Sequence, residues 1–118
     1  MASKTALVPL TDIRDAIRRI RRYTKGKDLT VFRSDELVRD AVERCIEIVS
    51  EASRKLPSDL KKKHPEIPWD KVAAIGNVFR HEYDEISPSL VWQVVKDHLP
   101  ALERAVNVMI RDIRNRRK

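Results

Sequence analysis

Apolar residues in this chain return every three or four positions, over stretches too long for a single strand. Leu10, Ile13, Ile17 and Ile20 are spaced 3, 4 and 3 apart. Val38, Val42, Cys45, Val49, Ala52 and Leu56 follow at 4, 3, 4, 3 and 4, and Leu37, Ala41 and Ile48 widen that stripe on one flank. Trp92, Val95, Leu99, Leu102, Val106, Met109 and Ile113 repeat at 3, 4, 3, 4, 3 and 4. A helix gathers such positions on one side, and that side then needs a partner to cover it. Strand-like alternation is absent and glycine occurs only twice, so the chain reads as all-α.

Proline, glycine and capping residues set the expected boundaries. Pro9 suits a first helical turn, so the first helix is expected from Pro9 or Thr11 to Lys25, with Gly26 closing it. Residues 1–8 and 114–118 are expected to be frayed ends. Phe32, in the connector that follows, is expected in the core. Ser34 reads as the N-cap of the second and central helix, with Asp35 and Glu36 favouring its positive end. That helix stops before Pro57. The segment Pro57–Pro68 reads as a loop with one helical turn over Ser58–Lys63, and His64 is expected in solvent. A third helix runs from Pro68 to about Asp84. Ser87 and Pro88 are the N-cap and first residue of a fourth. Its apolar phase continues through Pro100, which argues for a kink there and against a reversal. The expected architecture is one domain, residues 1–118, forming an antiparallel up-down four-helix bundle whose last helix is kinked near Pro100.

A chain of 118 residues buries roughly two-thirds of its unfolded surface, enough to fold without a disulfide or a metal. The single cysteine, Cys45, lies on an apolar stripe and reads as a small core residue. One cysteine and no signal-like start point to the cytoplasm. No apolar run approaches the roughly 18 residues of a membrane span, so no membrane partner is expected. Lys and Arg number 25 against 18 Asp and Glu, a net charge of +7, which makes phosphate-bearing partners plausible. The basic residues cluster at Arg14–Lys27, Lys61–Lys63 and Arg111–Lys118, and the one aromatic among them, Tyr23, does not make a base-stacking platform. Such charge suits contact with a nucleic-acid backbone. No metal-ligand motif or phosphate-cradling glycine loop is present, and neither a metal nor a cofactor is expected.

The chemically densest stretch is Gly76-Asn77-Val78-Phe79-Arg80-His81-Glu82-Tyr83 in the third helix. At about 100° per residue, Val72, Ile75, Gly76, Phe79 and Tyr83 gather on one side, and Asn77, Arg80, His81 and Asp84 on the other. An imidazole moves protons near neutral pH, and a neighbouring guanidinium holds phosphate. Asn77, one turn before His81, is placed to orient the ring or a substrate. The set suits metal-free cleavage of a phosphodiester beside a hydroxyl, as RNA provides. Spacing alone favours the plainer reading, a polar helix face that contains one histidine. Tyr83 falls at the edge of the apolar side, and periodicity leaves it either in the core or beside Arg80 and His81.

Six pieces in order carry a resemblance: Ile20–Thr24, Asp40–Val42, Glu47–Ala52, His64–Trp69, Gly76-Asn77 to His81-Glu82-Tyr83, and Val91-Trp92 with Asp97–Pro100. Together they resemble the HepT-like branch of the HEPN superfamily, from about Leu10 to Ile113. The resemblance implies an all-helical homodimer from a prokaryotic toxin–antitoxin pair, a metal-independent endoribonuclease acting on tRNA or mRNA in a cleft shared by two chains. It implies a minimal nucleotidyltransferase antitoxin as partner, which transfers AMP to the motif tyrosine and silences the toxin. In the family motif, R-x(4–6)-H-x-Y, the histidine corresponds to His81 and the tyrosine to Tyr83. The usual arginine falls where this chain has Gly76, and the nearest arginine is Arg80. The expected site is therefore His81 for proton transfer, Arg80 for phosphate, Asn77 for orientation and Tyr83 as AMP acceptor. The alternative is a non-catalytic helical dimer that binds the nucleotidyltransferase or RNA, because glycine occupies position 76.

Overall fold

The computed structural model describes residues 2–81 and 87–116, with side chains for 5–79 and 87–116. Those residues form helices α1 (Ala2–Thr24), α2 (Leu29–Ser34), α3 (Glu36–Arg54), α4 (Ser58–Lys62), α5 (Trp69–His81), α6 (Pro88–Gln93) and α7 (Leu99–Arg116). A π-helical turn over Val94–His98 joins α6 to α7. No strand occurs among the described residues, and none of their helices is long and apolar enough to cross a membrane.

Helix α3 packs on α1 along one side and on α5 along another, and α7 packs on α1. The last two run in opposite directions. Ile20 and Thr24 near the end of α1 line a hollow with Leu99 and Pro100 at the start of α7. Arg14 and Arg18, earlier in α1, share a groove with Asn107, Arg111 and Arg114. Arg21 of α1 forms a salt bridge with Glu103 of α7, which is otherwise buried at 9% exposure. That pairing satisfies a carboxylate that would be costly to bury alone.

The apolar stripes predict the core well. Leu10, Ile13, Ile17 and Ile20 are buried, as are Val42, Cys45, Val49, Ala52 and Leu56, and Leu99, Leu102, Val106, Met109 and Ile113. Phe32 is fully buried and packs against Trp92, with ring centroids 5.1 Å apart. Burial pushes the Cys45 thiol above its ordinary range, against the pull of Arg19, Arg44 and Arg22. A buried thiol held protonated is a packing group.

Several boundaries differ from the sequence expectation. Helix α1 already begins at Ala2 and contains Pro9. Ala6 is buried, which gives this first stretch a packing role that its weak pattern concealed. At the other end α7 continues to Arg116. Leu37 points away from the core at 80% exposure, so it does not widen the central stripe. Ser34 ends α2, and its Oγ donates to the Val31 carbonyl. Asp35 is the N-cap of α3 instead, its side chain accepting from the Val38 N–H at 3.1 Å. The helical turn at Ser58–Lys62 matches expectation. His64 does not stand free in solvent: its side chain is 15% exposed, with Nδ1 3.3 Å from Glu66 Oε2. Ser87 caps α6 as expected. In the π turn, the Leu99 N–H reaches the Val94 carbonyl five residues back. The wider turn absorbs Pro100, which has no N–H to give, and lets the helix run on.

The capping geometry sets a test. Asp35→Ala is expected to lower unfolding free energy by about 1 kcal/mol. Ser34→Ala, which removes only an exposed bond to the preceding turn, is expected to change it by less than about 0.5 kcal/mol. Urea unfolding of both variants checks the order; an equal loss from each would contradict the observed cap.

Candidate functional site

Helix α5 is built on a close approach. Ser50 of α3 is fully buried, and its Oγ both donates to the Ala73 carbonyl at 2.8 Å and accepts from the Gly76 N–H at 3.0 Å. A Cβ at position 76 would lie 2.6 Å from Ser50 Oγ and 2.8 Å from Ser50 Cβ. Glycine is therefore a condition of this helix crossing. Phe79, one turn on, is buried at 3% exposure, and Val72 and Ile75 pack partly against the core. An apolar groove of about 320 Å³ runs along this side, with Val49, Val72, Ile75, Val94, Leu99 and Leu102 in its walls. Two carboxylates, Glu66 and Asp97, and two basic side chains, Lys71 and His98, also line it.

The opposite side of α5 faces solvent. Asn77 and Val78 are exposed. Asn77 and His81 stand four residues apart on one helix, hence on one face about 6 Å apart along the axis. Arg80 belongs to the same helix, whose last residue is His81. Tyr83, the expected AMP acceptor, lies outside the described residues, as does the extension of this helix to Asp84.

The structure also brings in a residue that the sequence reading overlooked. Arg54, at the end of α3, reaches across to α5. Its Nε and Nη2 donate to the Ala73 carbonyl at 3.1 and 2.7 Å, and Nη2 also donates to Asn77 Oδ1 at 3.3 Å. Arg54 is exposed and forms no ion pair among the described residues. Its place in the sequence carries a weak signal: it is four residues after Ser50 and so shares the face of α3 that meets α5.

The motif position now has a physical meaning. Position 76 faces α3 beneath a fixed serine, so an arginine there would drive the two helices apart. A cation does stand at this crossing, Arg54 on α3, held at Asn77.

A family model for HepT-like ribonucleases, "Ribonuclease HepT-like", matches residues 13–109. The chain belongs to the HepT-like ribonuclease family. It is 36% identical over 94 residues to a Thermococcus cleftensis protein named probable ribonuclease HepT, covering 80% of this chain and 86% of that one. It is 30% identical over 109 residues to a Methanocaldococcus jannaschii protein provisionally named an RNase, covering 92% of this chain and all of that one. A Caldanaerobacter subterraneus protein, also provisionally named an RNase, is 29% identical over 86 residues, 73% of this chain and 77% of its own. No solved structure gives a significant match. The family match agrees with the sequence resemblance and with an all-helical chain.

Gly76→Ala should reveal the tightness of the crossing. Alanine favours a helix interior by about 1 kcal/mol over glycine, but overpacking a fixed site costs about 1–3 kcal/mol. The buried Ser50 hydroxyl cannot rotate away without abandoning two partners, so the net effect is expected to be destabilising. Ser50→Ala added to Gly76→Ala is expected not to restore stability, because the Ser50 Cβ contact at 2.8 Å remains. Thermal unfolding of the single and double variants checks this.

Proposed function

We propose that the protein is the toxin of a prokaryotic toxin–antitoxin pair, a homodimeric, metal-independent endoribonuclease. The carrying observation is the two-sided α5: Gly76 and Phe79 fix one side in the fold, while Asn77, exposed and one turn before His81, marks the side left to solvent. Membership in the HepT-like ribonuclease family supports RNA as the substrate class, and tRNA or mRNA is the RNA proposed.

In this reading His81 takes the proton from a ribose 2′-OH. The freed oxygen attacks the adjacent phosphorus, the bond to the 5′ oxygen breaks, and a second imidazole returns a proton to that oxygen. The products are a 2′,3′-cyclic phosphate and a 5′-hydroxyl end. Arg80 stabilises charge gathering on the phosphoryl oxygens. The second imidazole comes from another copy of the chain across the dimer cleft, which makes dimerisation a requirement of the chemistry.

The antitoxin is a minimal nucleotidyltransferase. It transfers AMP from ATP to the Tyr83 hydroxyl, releasing pyrophosphate. The added phosphate, two residues from His81, competes with RNA phosphate for the same cations and silences the nuclease.

A second reading has a specific observation behind it. Position 76 is filled by a buried glycine under Ser50, so the usual arginine is missing and the chain would bind RNA or the nucleotidyltransferase without cutting.

Purified protein incubated with tRNA and mRNA in the presence of a chelator separates the two. The nuclease reading expects cleavage with cyclic-phosphate ends and a loss of about 100-fold or more in rate for His81→Ala. RNA left equally intact by wild type and His81→Ala would favour the binding module. Intact-mass measurement after mixing with the nucleotidyltransferase and ATP is expected to show an AMP adduct that Tyr83→Phe abolishes.

A further inference from the structure

Arg54 and Asn77 form a hydrogen-bonded pair whose polarity follows from the donors alone. A guanidinium has five N–H donors and no acceptor. The atom that Asn77 turns toward Arg54 is accordingly its carbonyl oxygen, Oδ1, at 3.3 Å. That fixes the rest of the carboxamide. Its Nδ2, with two N–H groups, is the other end of an exposed side chain and has no hydrogen-bond partner among the described residues.

The guanidinium is fixed as well. Nε and Nη2 share the Ala73 carbonyl, at 3.1 and 2.7 Å, and Nη2 also holds Asn77. Nη1, with its two N–H groups, has no hydrogen-bond partner among the described residues. This pair therefore has four N–H donors without a partner among the described residues, and its one acceptor oxygen, Asn77 Oδ1, is engaged by Arg54. It also carries a full positive charge that no ion pair offsets among the described residues. Donors without acceptors select an anion with several oxygens, and a planar fork fits phosphate.

We propose that Arg54 and Asn77 together bind a substrate phosphodiester, with Arg54 also acting as the positioning residue that sets Asn77 as a donor. Asn77 then contacts the phosphate and does not orient the His81 ring. The site spans two helices, so the α3–α5 crossing at Ser50 and Gly76 governs its geometry. The proposal rests on the RNA reading above for the identity of the anion, but it makes a claim about binding that cleavage is not needed to test.

The discriminating variant is Asn77→Asp. Aspartate keeps an oxygen for Arg54 and gains an ion pair with it, so thermal stability is expected to be kept. It has no N–H to offer and brings a negative charge to the phosphate. Binding of a fluorescent 2′-O-methyl RNA oligonucleotide, which lacks the attacking hydroxyl and stays intact, is read by anisotropy across a salt series. Asn77→Asp is expected to bind about 10-fold more weakly, or worse, with its melting midpoint unchanged. Arg54→Ala is expected to weaken binding and reduce the salt slope by about 1. Arg54→Lys, which keeps the charge but loses the fork, is expected to retain the slope and lose part of the affinity. Wild-type binding by Asn77→Asp, or an unchanged salt slope for Arg54→Ala, would overturn the site. Oligonucleotide bound tightly by wild type and weakly by both variants supports it, even where wild type cuts no RNA and the nuclease reading alone fails. RNA cut by wild type while both variants bind as wild type does sinks the site alone.

Discussion

One serine hydroxyl joins the two helices on which the candidate site depends. Ser50 Oγ spends its hydrogen on the Ala73 carbonyl and a lone pair on the Gly76 N–H, in a place with no access to water. A buried hydroxyl with both functions satisfied costs little, and here it also sets distance and register. Glycine at 76 lets the backbone of α5 come close enough for both bonds. Phe79 below and Asn77 above then have assigned sides. Arg54, one turn beyond Ser50, lands on the same Ala73 carbonyl from outside. Buried and exposed halves of the crossing are thus held by the same acceptor.

Much of the fold was legible because helix periodicity is a direct record of burial. The stripes in α1, α3 and α7 named residues that are in the core, Cys45 among them, and Phe32 of α2 is buried as expected. The errors have identifiable physical sources. Pro9 signals a first turn, but a proline is also tolerated inside a helix where the lost bond is local, and Ala6 is too small to announce a core position. Ser34 and Asp35 are both good caps, and the short helix α2 decided between them by taking Ser34 as its last residue. Leu37 shows that an apolar residue at the start of a helix need not face inward. Ser50 and Ser53, each fully buried, sit beside the apolar stripe of α3 and as polar residues gave no sign of their burial.

The site was legible in part. The division of α5 into a packing side and a polar side holds for Ile75, Gly76, Phe79 and Asn77. Arg54 was not legible, because basic residues were sought where they cluster along the chain. Its role comes from contact across helices 19 and 23 residues apart in sequence, which no local window contains. The absence of an arginine at position 76 read at first as a defect in a motif. The crossing explains it as a steric requirement of this particular helix pair.

The π-helical turn at Val94–His98 has a mechanical consequence. It holds one more residue than an α-helical turn would, so it works as a phase adjuster between two stretches of helix. Upstream, it leaves Val91 facing the core and Trp92 against Phe32. Downstream, it points Glu103 at Arg21 and Ile113 into the interior. Closing it by one residue would rotate everything after it by about 100° relative to everything before. The two ends of this long helical run could then not both stay seated against the rest of the molecule.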